Sequence, residues 1–243
     1  MQCYHVCVEF VHSIPFKFRM KTDTVSDSGW IRPLLPPEIV VAEATIESAH
    51  TETGLLAGLF SEEREAIARA VPRRQAEFAS GRRLAHMALK EVSGLACAIP
   101  VAADRSPLWP AGILGSITHS ENVAAVAVTR AGGAWQAIGI DLANIQRFEP
   151  NLARVICTAA ERAAALPLPL VFSAKESLFK CLHPLTKVWM DFSDAEISLR
   201  SDAEFVAVLT KDCGRFANGT VIAGRWREHA GVMCTAICLP ART

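Results

Sequence analysis

Val171-Phe172-Ser173-Ala174-Lys175-Glu176-Ser177-Leu178-Phe179-Lys180 reads as one helix. Leu170, Phe172, Leu178 and Phe179 supply its apolar positions, and neither Pro nor Gly falls between Leu170 and Leu182. Glu176 and Lys180 are four residues apart, so both side chains leave one face about one turn apart. Taken alone, such a pair is more often a surface ion pair than a site. Two upstream stretches change that balance: Gly115-Ser116-Ile117-Thr118-His119-Ser120 and Ile138-Gly139-Ile140-Asp141.

Downstream of the helix, residues 196–199, 205–210, 221–226 and 232–239 read as strands of an antiparallel meander, turning at Cys213-Gly214 and Asn218-Gly219. Upstream, residues 158–165 read as a short helix with Glu161 and Arg162 exposed. Residues 122–129 and 135–142 read as two strands of a hairpin about Gly132-Gly133. The stretch 102–115 is a loop rich in Pro, Gly and Asp, and His119 follows a strand edge at 115–118. Ser61 stands as the N-cap of a helix over 62–70, with Glu62 and Glu63 in its first turn. Pro72 suits the first position of a second helix that stops at Ser93-Gly94. Residues 39–46 read as a strand, and 30–37 as a Pro-rich entry loop. Residues 1–20 show no sustained period; they are either a short transit-like extension or upstream of a true start at Met20. This order predicts an α+β fold with an N-terminal extension over 1–20, an N-terminal lobe over 21–133 and a C-terminal lobe over 134–243.

Composition narrows the function classes. With 25 basic and 25 acidic residues, the chain has no global pull toward nucleic acid or membrane. Its apolar fraction of 51% argues for a substantial core and against disorder. Eight cysteines show no CxxC pair, so a zinc site or disulfide framework fits poorly. They read as reduced thiols filling core positions in a cytoplasmic protein. No apolar run is long enough for a membrane helix. Arg64, Arg69, Arg73, Arg74, Arg82, Arg83 and Lys90 gather in one region, either a solvated helix face or a local anion site.

The three pieces, in order, resemble the 4′-phosphopantetheinyl transferases of the surfactin/enterobactin synthetase type. That family's signature reads WP-x-G-x-x-GSITH, then GID, then FSAKES-x-FK. Here the first block runs from Trp109-Pro110-Ala111-Gly112 to His119, and a further match lies at Glu77-Phe78-Ala79-Ser80-Gly81-Arg82. The resemblance spans about Leu55 to Asp194. It implies two pseudo-symmetric α/β lobes with the active site in the cleft between them. It also implies transfer of phosphopantetheine from coenzyme A to a serine of an acyl or peptidyl carrier protein, releasing 3′,5′-ADP, with Mg2+ as cofactor. A monomer is expected.

Attack of a hydroxyl on a pyrophosphate phosphorus needs a hard cation, cationic side chains on the phosphates and a base. By resemblance, Asp141 and Glu176 are the metal ligands, and Glu176 also activates the acceptor serine. Lys180 contacts phosphate and stabilises developing charge. Thr118 and His119 bind coenzyme A, and Arg74, Arg82 and Arg105 match its phosphate contacts. Without the resemblance, Asp141 reads as a turn residue, His119 as a satisfied strand-end histidine, and the helix arginines as solvated. Lys175 reaches phosphate or is exposed. Trp109 and Phe148 read as packing, and Phe172 and Phe179 as core.

One departure stands out. The family usually carries GIDxE, whereas this chain has Gly139-Ile140-Asp141-Leu142-Ala143. Strand alternation puts residue 143 on the Asp141 face, so the third acid is missing where it is expected. Three arrangements remain open: two carboxylates with an added water, replacement by a residue such as Asn144, or loss of activity.

Overall fold

The computed structural model describes residues 29–46 and 52–241. The extension over 1–20 lies outside them. The fold is mixed α/β, built on two antiparallel sheets. Strands β1 (Val40–Thr45), β2 (Ile113–Ser120) and β3 (Val123–Arg130) form the first, in the order β1-β3-β2. The second contains β4 (Trp135–Asn144), β5 (Ala195–Ser201), β6 (Glu204–Leu209), β7 (Val221–His229) and β8 (Val232–Pro240), in the order β4-β8-β7-β6-β5.

Helices α1 (Glu52–Leu55), α2 (Ser61–Ile67) and α3 (Pro72–Ser93) accompany the first sheet, with α3 packed on β1 and β3. Pro72 opens α3 and Gly94 ends it in the left-handed conformation, φ +81°, which a residue without Cβ adopts freely. The N-cap of α2 is Phe60 rather than Ser61, because the Glu63 carboxylate reaches back to the Phe60 amide. Helices α4 (Ala153–Ile156), α5 (Ala159–Ala163) and α6 (Leu168–Thr186) accompany the second sheet. Helix α6 lies across β4 and β8 and continues through Pro184 to Lys187, which caps it at φ +55°. The entry loop is buried rather than peripheral: Ile31, Leu34 and Leu35 sit in a core cluster with β3, β4 and β8.

The expected hairpin between β3 and β4 does not form. β3 pairs with β1 and β2, β4 pairs with β8, and the tight hairpin is β2–β3. Alternation on β4 gives the reason. Ile138, Ile140 and Leu142 face Val123, Ala125 and Ala127 of β3, so the two sheets meet face to face. The opposite face of β4 (Ala137, Gly139, Asp141, Ala143) meets α6. Burying Leu178 on this face and Ile140 on the other contributes about 1.5–3 kcal/mol each.

Gly139 permits the closest approach. A Cβ on it would stand 1.9 Å from the Ser177 carbonyl oxygen and 2.7 Å from the Cys181 amide nitrogen. No side chain fits between β4 and α6 there. Glu176 and Lys180 therefore ride on a helix seated directly on the strand that carries Asp141.

Candidate active site

Strands β2 and β4 run beside each other without a backbone ladder. Hydroxyls bridge them instead: the Ile140 amide donates to Ser116 Oγ at 3.1 Å and the Leu142 amide to Thr118 Oγ1 at 3.1 Å. Asp141 lies between these two rungs. The residue is buried at 5% exposure, on the α6 face of β4.

Thr118 and Lys180 converge on one oxygen. Thr118 Oγ1 donates to Asp141 Oδ1 at 3.2 Å, and Lys180 Nζ donates to the same oxygen at 2.6 Å. Lys180 also reaches Thr118 Oγ1 and the Ile140 carbonyl. Asp141 Oδ2 is left buried with no partner. Such an orphan is costly unless a ligand completes it. Glu176 stands within electrostatic reach of both groups. Burial raises its carboxyl pKa above the usual range, the Lys180 charge opposes this, and the Asp141 charge adds to it. An unpartnered carboxylate oxygen beside a desolvated second carboxylate suits a hard, oxygen-preferring cation such as magnesium. Among the described residues no group of three or more His, Cys, Asp or Glu side chains is placed to hold a metal.

The position of the missing acid is occupied by a methyl group. Ala143 is buried beside Leu170 and Met233, flanked by Phe172 and Trp226. Asn144 does not replace it: its amide donates to Glu121 and its oxygen accepts the Gln146 amide.

On the β2 side, His119 Nε2 lies 2.6 Å from Arg74 Nη1, and His119 Nδ1 lies 3.6 Å from Glu77. Burial first, and then the Arg74 charge, push the His119 pKa down to about 4, so the ring is neutral near pH 7. Arg74 also contacts Glu77 and is half exposed, with its guanidinium turned toward the seam. Arg82 is held deeper. Its guanidinium lies over the Phe78 ring and 3.9 Å from Glu63, and burial lowers its pKa to about 10. Glu63 is fully buried and accepts from His86, Ile99 and Phe60.

Arg105 is exposed in a tight turn at φ +65°. The turn is fixed from below. Asp104 accepts from Ser106, and its other oxygen lies 3.0 Å from His183 Nε2 and 3.4 Å from Lys187 Nζ. Those hydrogen bonds hold the Asp104 carboxyl well below the usual range. A clasp on the last turn of α6 thus anchors the loop that carries Arg105.

The structure gathers Thr118, His119, Asp141, Glu176, Lys180 and Arg74 along one seam. It keeps Arg82 in a buried network beside Arg74, and leaves Arg105 on the surface. Lys175 departs from both expectations. It is neither exposed nor free for phosphate: Nζ donates to Glu161 at 2.8 Å and to the Ile156 and Phe192 carbonyls. Glu161, expected on the surface, is buried because the amides of Thr158 and Ile197 also converge on it. Phe179 is not core either. It packs against His183 and against Trp189, which is 66% exposed. Trp109 and Phe148 do pack as expected. Three hydroxyls behind the site, on Ser173, Ser177 and Thr235, escaped the sequence reading. The only signal for them was the pair of serines four apart inside the motif.

Comparison with known proteins gives the family. Residues 62–129 match the 4′-phosphopantetheinyl transferase N-terminal domain, and residues 137–229 match the 4′-phosphopantetheinyl transferase superfamily. The chain is 33% identical over 224 residues to the 4′-phosphopantetheinyl transferase Svp of Streptomyces mobaraensis, covering 87% of this chain and 89% of that one. It is 33% identical over 194 residues to the 4′-phosphopantetheinyl transferase PptT of Mycobacterium tuberculosis, covering 73% and 85%. Over 118 residues it is 38% identical to enterobactin synthase component D of Salmonella typhi, covering 44% and 48%. Family matches over residues 62–129 and 137–229, together with a relative 33% identical over 87% of the chain, mean that the chain belongs to the 4′-phosphopantetheinyl transferase superfamily.

Proposed function

We propose that this chain transfers the phosphopantetheine arm of coenzyme A to a serine of an acyl or peptidyl carrier protein, in a magnesium-dependent reaction that works with two protein carboxylates. The serine oxygen attacks the pantetheine-side phosphorus of the pyrophosphate. A new P–O bond forms, the bond to the bridging oxygen breaks, and 3′,5′-ADP leaves with that electron pair. The serine proton passes to Glu176. A carboxyl group with a pKa raised by burial is the better base for this. Asp141 and Glu176 would hold the magnesium ion, which supplies charge neutralisation on the pyrophosphate oxygens. Lys180 stabilises the charge that develops there. Arg74, Arg82 and Arg105, with Thr118 and His119, bind the coenzyme A side. A neutral imidazole at His119 accepts or donates a hydrogen bond without adding a charge.

The observation that carries this reading is the Asp141 carboxylate, with Oδ1 tied to Lys180 and Thr118 and Oδ2 buried and unpartnered. We also propose that the two sheets are the cores of lobes over 21–133 and 134–243. The protein would act as a cytoplasmic monomer on carrier domains of siderophore, peptide, polyketide or fatty-acid synthases. The relative named enterobactin synthase component D supports the siderophore case. Among the described residues no helix is long and apolar enough to cross a membrane.

The test incubates the folded protein with coenzyme A, magnesium and an apo carrier protein, and reads the carrier mass. Addition of phosphopantetheine is expected; its absence across several carriers would refute the reading. The Ala143 methyl favours a second reading, a relative that binds coenzyme A or a carrier without efficient transfer.

A further inference from the structure

Ser173 and Ser177 sit four apart on α6 and share one helix face. Both are fully buried, as is Thr235 on β8. Thr235 is the cross-strand partner of Asp141, so its side chain lies beside that carboxylate on the α6 face of the sheet. The three hydroxyls form one knot. Thr235 Oγ1 donates to the Ser173 carbonyl at 2.8 Å. It lies 2.9 Å from Ser173 Oγ and 2.6 Å from Ser177 Oγ, and Ser177 Oγ lies 3.2 Å from the Thr235 carbonyl. The single proton and both lone pairs of Thr235 are therefore engaged.

We infer that Ser173, Ser177 and Thr235 are positioning residues that fix where Glu176 and Lys180 stand relative to Asp141. The inference rests on the reading of Asp141 and Glu176 as the working carboxylates. Small aliphatic residues would fill this space without three polar groups to satisfy, each of which costs about 1–3 kcal/mol if left unpaired in the interior. Hydrogen bonds fix what apolar contact leaves free to slide. The carbonyl of Ser177 meets Gly139, and its hydroxyl meets Thr235. One residue of α6 is thus held against β4 and β8 together. Glu176 precedes that residue, and Lys180 follows it by one turn. Turning α6 by one residue would swing both by about 100°. A displacement of about 1 Å in such a site lowers turnover on the order of 100-fold.

The test compares the parent with Thr235→Val and Thr235→Ser. Turnover is read with coenzyme A and an apo carrier, and Mn2+ binding by paramagnetic resonance without substrates. Valine keeps the shape and removes the hydroxyl. With a cooperative melt retained, Thr235→Val should lose about tenfold or more in kcat and bind Mn2+ more weakly, while KM for coenzyme A stays within about twofold. That split is expected because Arg74 stands on α3 and His119 on β2 of the other sheet. Thr235→Ser, which keeps the hydroxyl, should recover most of the loss. A folded Thr235→Val with kcat and Mn2+ affinity both near the parent overturns the inference and leaves the knot as packing alone. Where Thr235→Val fails to fold, Ser173→Ala and Ser177→Ala each remove one member, and the same two readouts decide. Asp141→Asn separates the two levels: full turnover in that variant refutes the carboxylate reading itself, whatever Thr235 does.

Discussion

Lys180 Nζ and Asp141 Oδ1 stand 2.6 Å apart, joining the helix that carries Glu176 to the strand that forms the seam. The ammonium compensates a carboxylate that is otherwise nearly enclosed. Lys180→Met removes that charge and the donor aimed at developing phosphate charge. Its kcat should fall on the order of 100-fold, read in the carrier-modification assay against circular dichroism as a check on folding.

Gly139→Ala places a carbon inside the Ser177 carbonyl. Overpacking of this kind costs about 1–3 kcal/mol or more. Here it also levers α6 away from β4. Denaturant unfolding should show the loss of stability, and turnover per folded molecule should drop with it.

Lys175 and Glu161 form a buried pair, their side chains 4% and 0% exposed. Lys175→Met leaves Glu161 without its counter-charge, a change that costs about 3–5 kcal/mol. The effect should appear in unfolding midpoints. Turnover of the folded fraction should fall far less than in Lys180→Met, which separates the two motif lysines by role.

His119 faces Arg74, Glu77, Lys180 and Asp141, and its pKa is pushed down from 6.5 to about 4. Between those values the unfolded chain binds more protons at this ring than the folded chain does. Stability therefore rises with pH through that window and is level above it. Acid titration of the unfolding free energy should show this fall below pH 6.5, and His119→Gln should flatten it.

Ala143→Glu forces a carboxylate into the contact with Leu170 and Met233. The melting temperature should drop. Mn2+ binding should tighten, while kcat at saturating magnesium changes little, as a competent two-carboxylate site requires. A large gain from near zero would instead favour the weakened relative.

Much of this site was legible in residue order. Asp141 lies in the last four residues of an apolar strand, and Glu176 with Lys180 shares a helix face; both features follow from period alone. The meander of β5–β8 was equally plain, because its strands are short apolar runs and the β6–β7 connection carries Gly214 and Gly219, both at positive φ. What stayed hidden depends on distant partners. Nothing near Lys175 in sequence announces Glu161, 14 residues earlier on another helix, so half of a buried ion pair read as a lysine that is exposed or reaches phosphate. The β3–β4 hairpin was inferred from two adjacent strands and a Gly-Gly turn. The face-to-face packing of Ile138, Ile140 and Leu142 on β3 overrode it. Asp104 read as one polar residue in a loop because its partner, His183, is 79 positions away.

The join between β2 and β4 has a consequence for how such a chain can change over generations. A peptide ladder is indifferent to which side chains line it, so neighbouring strands stay attached while their sequences drift. Here the polar part of the attachment is written in two codons, for Ser116 and Thr118, and exchanging either for a hydrocarbon of equal size unfastens a rung. Selection for cohesion between the sheets and selection for turnover thus meet at Thr118, whose hydroxyl holds the Leu142 amide and the Asp141 carboxylate at once.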